Sequence, residues 1–572
     1  MRVLLNPPAA EHTQAAARSH WSWLEPLLLA LVLALWFGYE LGSRALWTPD
    51  EGRYAEIPRE MLASGDFLTP RLNGVKYFEK PPLVYWLEAG AIKLFGVNEW
   101  ALRIWPALFG LLGCLVVYYT ARRLYDRRAA LFSAGLLAIS PLYDFMGGIL
   151  TLDMPLTGFL TGALCAFLLG IRAPPGGERR ALLYGFYVCI ALAVMTKGLV
   201  GLALPGMIIG AWMVLVGRWR VLREIHLVHG IVIFLAIAAP WHVLVARANP
   251  EFLYFYFVHE HLQRYLTTVH NRYEPAWFFV PVLLVGFYPW TVFLPYTLRD
   301  ALRELWAHGR ERDDVCLLLL WASLPFLFFS LSDSKLIPYV LPIWPPLALL
   351  VGRWLEKVWE GQVPVARVAY WLSLALGVAF ALVLLLGAPI SSPGVARILQ
   401  QLGAGRYAMA GALLAAGALP FVAWRFGNPR LAVGALFLGG ALLVGTFDLN
   451  SSRLDVGRSV KELALVLQPR LKADDEVINY ATYYQDLPVY LGRRITVVNW
   501  KGELEFGMSV EDTREWMVEF AEFRRRWNAP RTEYLLTSRA NYDKLRADPP
   551  GPMHLLAQTE YAVLVTNREA AP

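Results

Sequence analysis

The chain has 572 residues, 56% of them hydrophobic and only 17% charged, a balance too apolar for the surface of a soluble globular protein. A formal net charge of +7 would suit a nucleic-acid partner, but the arginines sit in short clusters between apolar runs. That is the pattern of loops on one side of a bilayer, so nucleic acid is excluded and a polytopic membrane protein is expected.

A spanning helix needs about 20 mostly apolar residues, and runs of that kind recur as far as Phe447. Roughly thirteen spans follow, centred near Leu31, Leu111, Leu137, Leu160, Val188, Ile208, Ile233, Leu284, Leu320, Leu347, Leu376, Leu414 and Phe437. The first run, Trp23 to Tyr39, has no small-residue cleavage site after it, so it reads as a first helix and not as a removed signal peptide. Between it and the next run (Leu102 to Tyr119) lies a charged stretch, WTPDEGRYAEIPREMLASGDFLTPRLNGVKYFEKPPLVYW, from Trp47 to Trp86.

Orientation follows from the basic loops. Arg122, Arg123, Arg127 and Arg128 follow the second span; Arg179 and Arg180 the fourth; Arg218, Arg220 and Arg223 the sixth; Arg299, Arg303, Arg310 and Arg312 the eighth; Arg353 and Lys357, then Arg425 and Arg430, come later. All share one side if odd-numbered helices run outward, which places the N-terminus inside. The first loop (residues 42–100), the segment from Asn249 to Pro275 and the tail after Asp448 then share the outer face. The expected division is a membrane domain over residues 1–447 and an outer domain over 448–572.

In the tail, strand-like EVINYATYYQDLPVYL, RITVVNW, EYLLTS and YAVLVTN alternate with helix-like Val456–Leu471 and Thr513–Trp527, which predicts a small α/β domain. Its plainest role is a stabilising cap without catalytic residues. Cys114, Cys165, Cys189 and Cys316 all lie inside apolar runs and read as small packing residues.

Charge near a bilayer core is costly and calls for a partner or a function. Asp153 begins the fourth span, Lys197 ends the fifth, and Asp333 and Lys335 occupy the turn SLSDSKLIPYV. By the topology above they share the outer face with Asp50, Glu51, Glu79 and Lys80. Taken singly, Asp153 has an N-cap and Lys197 a snorkelling ammonium as ordinary explanations; their common side points to one site. Arg53, Lys80, Lys197 and Lys335 suit phosphate oxygens, whereas Asp50 and Asp153 suit sugar hydroxyls, amines or an acidic proton. Tyr54, Tyr77, Tyr85 and Tyr339 offer ring faces and hydroxyls, with a membrane-interface aromatic belt as the plainer alternative. Glu79 and His259 carry zinc-type donors, so a bound divalent ion there is a further option, but no closed ligand set is visible.

WTPDEGRYAEIPREML with SGDFLTPRLNGVKYFEKPPLVYW, and SDSKLIPYVLPIWP (Ser332 to Pro345), resemble the bacterial 4-amino-4-deoxy-L-arabinose lipid A transferases, of the protein O-mannosyltransferase-like group of GT-C glycosyltransferases. The resemblance implies an inner-membrane, multi-pass, inverting enzyme whose site faces the periplasm. Its donor would be undecaprenyl phosphate-aminoarabinose and its acceptor a phosphate of lipid A, giving resistance to polymyxin and cationic peptides. It implies Asp50 as the catalytic carboxylate, Lys80 and Tyr339 on the carrier phosphate, and Arg53, Tyr54, Glu79, Asp153 and Lys197 around the same cavity. With Asp153 and Lys80 placed beside Asp50 in the chemistry, the expected partners are the lipid-linked donor, lipid A and membrane lipids, with no required cofactor and a monomeric state. An acceptor phosphate is already largely ionised near neutral pH, so Asp50 has little need to act as a base. Two alternatives remain at this level: a transferase of the same group acting on a protein or another glycan, and a transporter or flippase, which should show related halves that this sequence lacks.

Overall fold

The computed structural model describes residues 23–263, 274–363, 366–386, 393–454 and 459–569. The expected inner N-terminus, part of the Asn249–Pro275 segment and the start of the Val456–Leu471 helix lie outside these residues. Each of the thirteen apolar centres falls on a helix. Among the described residues, eight helices are long and apolar enough to cross a membrane, or ten if two bent pairs each count as one span. The bends have a sequence cause: Pro141 follows a 66° break and Pro289 sits in a 106° break, where proline cannot continue the backbone hydrogen-bond ladder. The helices at Leu31, Ile208 and Leu347 have 15, 17 and 16 residues, shorter than the about 20 of a typical crossing.

The basic loops do converge at one end. Arg123, Arg312, Arg353 and Lys357 line a common cavity, although they come from loops far apart in the chain. The charged first loop lies at the other end of the same helices. It forms a helix, Asp50–Ser64, that closes on left-handed Gly65, then a two-strand hairpin (β1, Arg71–Leu72; β2, Val75–Lys76) and a second helix, Leu83–Phe95. The hairpin turn is Asn73-Gly74, both at positive φ, as a tight two-residue connection requires.

Glu51 holds this loop to the membrane helices. Its buried carboxylate accepts from Arg44 (2.6 Å), from Arg103 through two nitrogens (2.8 and 2.9 Å), and from the backbone N–H groups of Trp47 and Leu150 (both 2.9 Å). Arg103, on the Glu99–Leu124 helix, also donates to the carbonyls of Leu41, Arg44 and Ala45. Burial by itself would raise the Glu51 pKa, but Arg103 and Arg44 outweigh it and hold the carboxyl well below its ordinary value.

The tail forms a six-stranded sheet from β3 (Glu476–Tyr480), β4 (Thr496–Val498), β5 (Met517–Val518), β6 (Glu533–Ser538), β7 (His554–Gln558) and β8 (Ala562–Thr566). The order is β5-β4-β3-β6-β8-β7, parallel from β5 to β6 and antiparallel across β6, β8 and β7. Alternating side chains face two cores. Ile478, Val498, Leu535 and Val563 pack with Phe523 and Trp527, while Val477, Val497, Leu536 and Leu564 join one cluster with Leu46, Tyr54, Ile57, Leu72 and Tyr85 of the first loop. The expected helix over Thr513–Trp527 is corrected: Met517 and Val518 pair with Val497 and Val498 as an edge strand, and the helix starts only at Phe520. Edge pairing overrides a helix-like pattern there. The last apolar helix continues to Ser451, past the expected boundary at 447.

Removing one partner of a buried charge cluster leaves uncompensated charge, so Glu51→Gln should lower unfolding stability by about 3–5 kcal/mol in a detergent denaturation experiment. A depressed carboxylate contributes stability above its unfolded pKa and loses it as pH falls. The parent's midpoint should therefore decline below pH 4.5, the ordinary glutamate value, with a shallower decline in the variant.

Candidate active site

Two carboxylates adjacent in sequence have opposite environments. Glu51 is fully buried, whereas the Asp50 side chain is 55% exposed at the first turn of its helix and, among the described residues, receives only Arg53 Nη1 at 3.3 Å. Arg53 reaches the other way to Glu503 of the tail at 2.5 Å, and Glu503 also accepts from Gln485 Nε2 at 2.7 Å. Close packing makes this contact possible. A Cβ on Gly52 would lie 2.5 Å from the Asp486 nitrogen, so only glycine lets the helix approach the tail backbone.

Aromatic rings line the same region. Tyr54 and Tyr85 stack with centroids 6.2 Å apart, and the Arg53 guanidinium lies 5.9 Å from the Tyr54 ring. Burial pushes the Tyr54 hydroxyl far up; Arg53 opposes the shift, and the charges of Asp50, Asp153 and Glu79 reinforce it. Tyr77 and Tyr85 are likewise raised, first by burial, and both feel Arg53, Glu79 and Glu503. Glu503 is raised by burial against the pull of Arg53, with Glu79 and Asp50 adding to the rise. Asp50, Arg53, Tyr54, Tyr77, Glu79, Tyr85, Asp153 and Glu503 therefore share one electrostatic neighbourhood.

The cations divide. Lys197 pairs with Asp153, and its ammonium sits 4.8 Å from the Tyr339 ring centre, so three residues from distant segments meet. Lys80 donates to the Glu79 carbonyl at 2.8 Å and lies 3.4 Å from buried Glu260. Lys335 has a different setting. Its buried ammonium donates to the carbonyl oxygens of Glu274, at 2.6 Å, and Ser332, which ties down the turn before Tyr339.

Among the described residues, no group of three or more His, Cys, Asp or Glu side chains is placed to hold a metal ion. His259 lies on a π-helix, Tyr254–Gln263, stacked on Phe255 at 5.0 Å and 3.5 Å from the Glu260 carboxylate. A zinc site needs three or four protein ligands, and among the described residues no third donor joins Glu79 and His259. The four cysteines are free.

Glu503 and Gln485 were not expected from the sequence. Nothing in KGELEF marks Glu503, because its place depends on how the tail folds. The Asn73-Gly74 pair is the local signal of a tight hairpin that the sequence reading passed over, and the turn makes the other joint with the tail: Asn73 exchanges two 3.0 Å hydrogen bonds with the Ile495 backbone, and Glu511 pairs with Arg71 at 2.9 Å.

Apolar helices carrying a polar cluster of paired carboxylates and lysines at one end, closed by an α/β domain, define a polytopic membrane glycosyltransferase. Residues 79–243 match the dolichyl-phosphate-mannose-protein mannosyltransferase model and residues 463–567 the aminoarabinose transferase C-terminal domain. The chain is 31% identical to an undecaprenyl phosphate-alpha-4-amino-4-deoxy-L-arabinose arabinosyl transferase of Edwardsiella ictaluri, over 86% of this chain and 89% of that protein. It is 32% identical to the same-named protein of Pectobacterium carotovorum, over 87% and 89%. A crystal structure of ArnT from Cupriavidus metallidurans bound to undecaprenyl phosphate superposes with TM-score 0.82 at 30% identity, covering 96% of this chain and 99% of that one. The chain belongs to the undecaprenyl phosphate-aminoarabinose arabinosyl transferase family.

The two lysines should separate in kinetics. Lys197→Met, which strips the charge from the Asp153–Tyr339 cluster, should raise KM for a lipid-phosphate sugar donor by about tenfold or more. Lys335→Met should lower the unfolding midpoint while leaving that KM within about twofold, because its ammonium holds backbone.

Proposed function

We propose that the chain transfers 4-amino-4-deoxy-L-arabinose from undecaprenyl phosphate to a phosphate of lipid A at the periplasmic face of the inner membrane. Family membership supports the donor. The observation that carries the reading of the site is the juxtaposition of Arg53 with Asp50 and Glu503, beside the Tyr54–Tyr85 stack and the Lys197–Asp153 pair.

The reaction is balanced without an added cofactor. A phosphate oxygen of lipid A attacks the anomeric carbon of the sugar from the face opposite the carrier, forming one C–O bond. The bond from that carbon to the carrier's phosphate oxygen breaks, and its electron pair leaves with undecaprenyl phosphate. One phosphate changes from monoester to diester as the other does the reverse, so the negative charge moves from acceptor to leaving group. No proton must be taken, since a phosphate monoester is mostly dianionic at neutral pH.

The protein's task is therefore electrostatic. Lys80 and Lys197 stabilise the charge gathering on the departing phosphate, with Tyr339 beside Lys197 fixing the ammonium. Asp50 stabilises the positive charge that builds at the sugar carbon and orients the acceptor. Glu79 and Glu503 provide negative charge for the sugar's amine, and the stacked Tyr54 and Tyr85 supply a flat wall for its ring. Glycosyl transfer of this kind, with lipid on both sides, also gives the product that weakens polymyxin and cationic-peptide binding, because it masks a lipid A phosphate with an amine.

Expression of the chain in cells lacking their own enzyme should add aminoarabinose to lipid A by mass spectrometry and raise polymyxin tolerance. Unmodified lipid A beside an altered glycoprotein or glycan would replace this acceptor with a hydroxyl one. Lys80→Ala should lower transfer by roughly a hundredfold, and Lys80→Arg less. Equal rates for both variants and the parent would remove the phosphate role of Lys80.

A further inference from the structure

Lys80 faces a carboxylate that has no part in the transfer chemistry. Its ammonium donates to the Glu79 carbonyl at 2.8 Å and lies 3.4 Å from Glu260 Oε2, and only 11% of the side chain is exposed. Glu260 is deeper still, with 1% of its side chain exposed, and its other oxygen lies 3.5 Å from His259 Nδ1. A phosphate that takes Lys80 therefore meets a buried negative charge already in place. Two anions at contact distance from one ammonium repel each other strongly where water is scarce.

Glu260 is firmly presented. It sits on the π-helix Tyr254–Gln263, a rare backbone form that gathers at functional sites. Phe255, on the same helix, stacks on Phe506 of the tail with ring centres 3.8 Å apart. Just ahead of the helix, Phe252 packs edge-on against Phe78 at 5.4 Å, and Glu251 pairs with Lys76 at 2.7 Å. Lys76, Phe78 and Lys80 belong to one KYFEK stretch, and Phe506 closely follows Glu503. Contacts from the first loop and from the tail thus fix the backbone that brings Glu260 to Lys80.

The charge balance of the transfer gives this carboxylate a task. In the donor, the carrier phosphate is a diester with a single negative charge; once the sugar has left, it is a monoester with about −1.5 to −2 near pH 7. The carrier therefore holds a fixed cation more tightly at the moment it has to depart, and product release limits turnover in many enzymes. A second anion within reach of the same ammonium offsets that gain. Resting on the reading of Lys80 as a phosphate ligand, we propose that Glu260 is a positioning residue that competes with the carrier phosphate for Lys80. It yields the ammonium to the bound carrier, with His259 against its second oxygen, and takes it back as undecaprenyl phosphate leaves.

Binding of undecaprenyl phosphate to the full chain in detergent, measured by native mass spectrometry beside product inhibition of transfer, tests this. Glu260→Gln keeps the shape of the side chain and removes the competing charge; it should bind undecaprenyl phosphate about tenfold more tightly than the parent, with product inhibition at a correspondingly lower concentration. Glu260→Asp keeps the charge and draws it back by a methylene, so it should tighten binding about threefold and carries the test if the glutamine variant does not fold. In a Lys80→Ala background the Glu260→Gln change should have no effect on binding, because the contested ammonium is gone. Unchanged or weaker binding in the folded Glu260 variants overturns the proposal and leaves the carboxylate as a support for Lys80. Parent-like binding by Lys80→Ala alone removes instead the phosphate role of Lys80 on which the proposal rests.

Discussion

The six hydrogen bonds converging on Glu51 tie four separate pieces of chain together: residues 41–47, the Asp50–Ser64 helix, the Glu99–Leu124 helix and the stretch at Gly148–Leu150. Two arginines and one carboxylate out of water are stable only when every donor and acceptor is matched, and here Arg103 spends its remaining donors on loop carbonyls. The helix that begins at Asp50 is therefore held at a set height above the bundle. Asp50, one residue earlier, is left on the open side of the same turn. Adjacent carboxylates thus have different settings, one locked in the framework and one open beside Arg53.

The second constraint is the shared core of the first loop and the tail. Leu46, Ile57, Leu72 and Tyr85 pack in one cluster with Leu463, Val477, Val489 and Leu536, so neither part buries its apolar face without the other. Gly52 against Asp486 and the Asn73–Ile495 pair set the register of the joint. Glu503 then arrives beside Arg53 as a consequence of folding. The tail is more than a cap, because its Glu503 pairs with Arg53 next to Asp50.

What could be read from the sequence followed the length over which each signal is summed. Apolar runs average over about 20 residues, so all thirteen centres land on helices, but a single proline at 141 or 289 bends a span that the average reports as straight. Asp153, Lys197 and Tyr339, which meet in the structure, stand out in the sequence as charge and aromatics at span ends against apolar surroundings. The Lys335 ammonium looked like another phosphate ligand, since its carbonyl partners, Glu274 and Ser332, are invisible until the turn is built. Thr513–Trp527 carries a helical pattern that strand pairing defeats at Met517 and Val518. Glu503 and Gln485 had no local signal at all.

The division of labour between Asp50 and Glu51 is tested most directly by Asp50→Asn measured for both transfer and unfolding. It predicts that purified variant protein loses about a hundredfold or more in sugar transfer to lipid A phosphate while its unfolding midpoint stays with the parent's. Full transfer by the variant, or a fall in midpoint as large as Glu51→Gln produces, would contradict it.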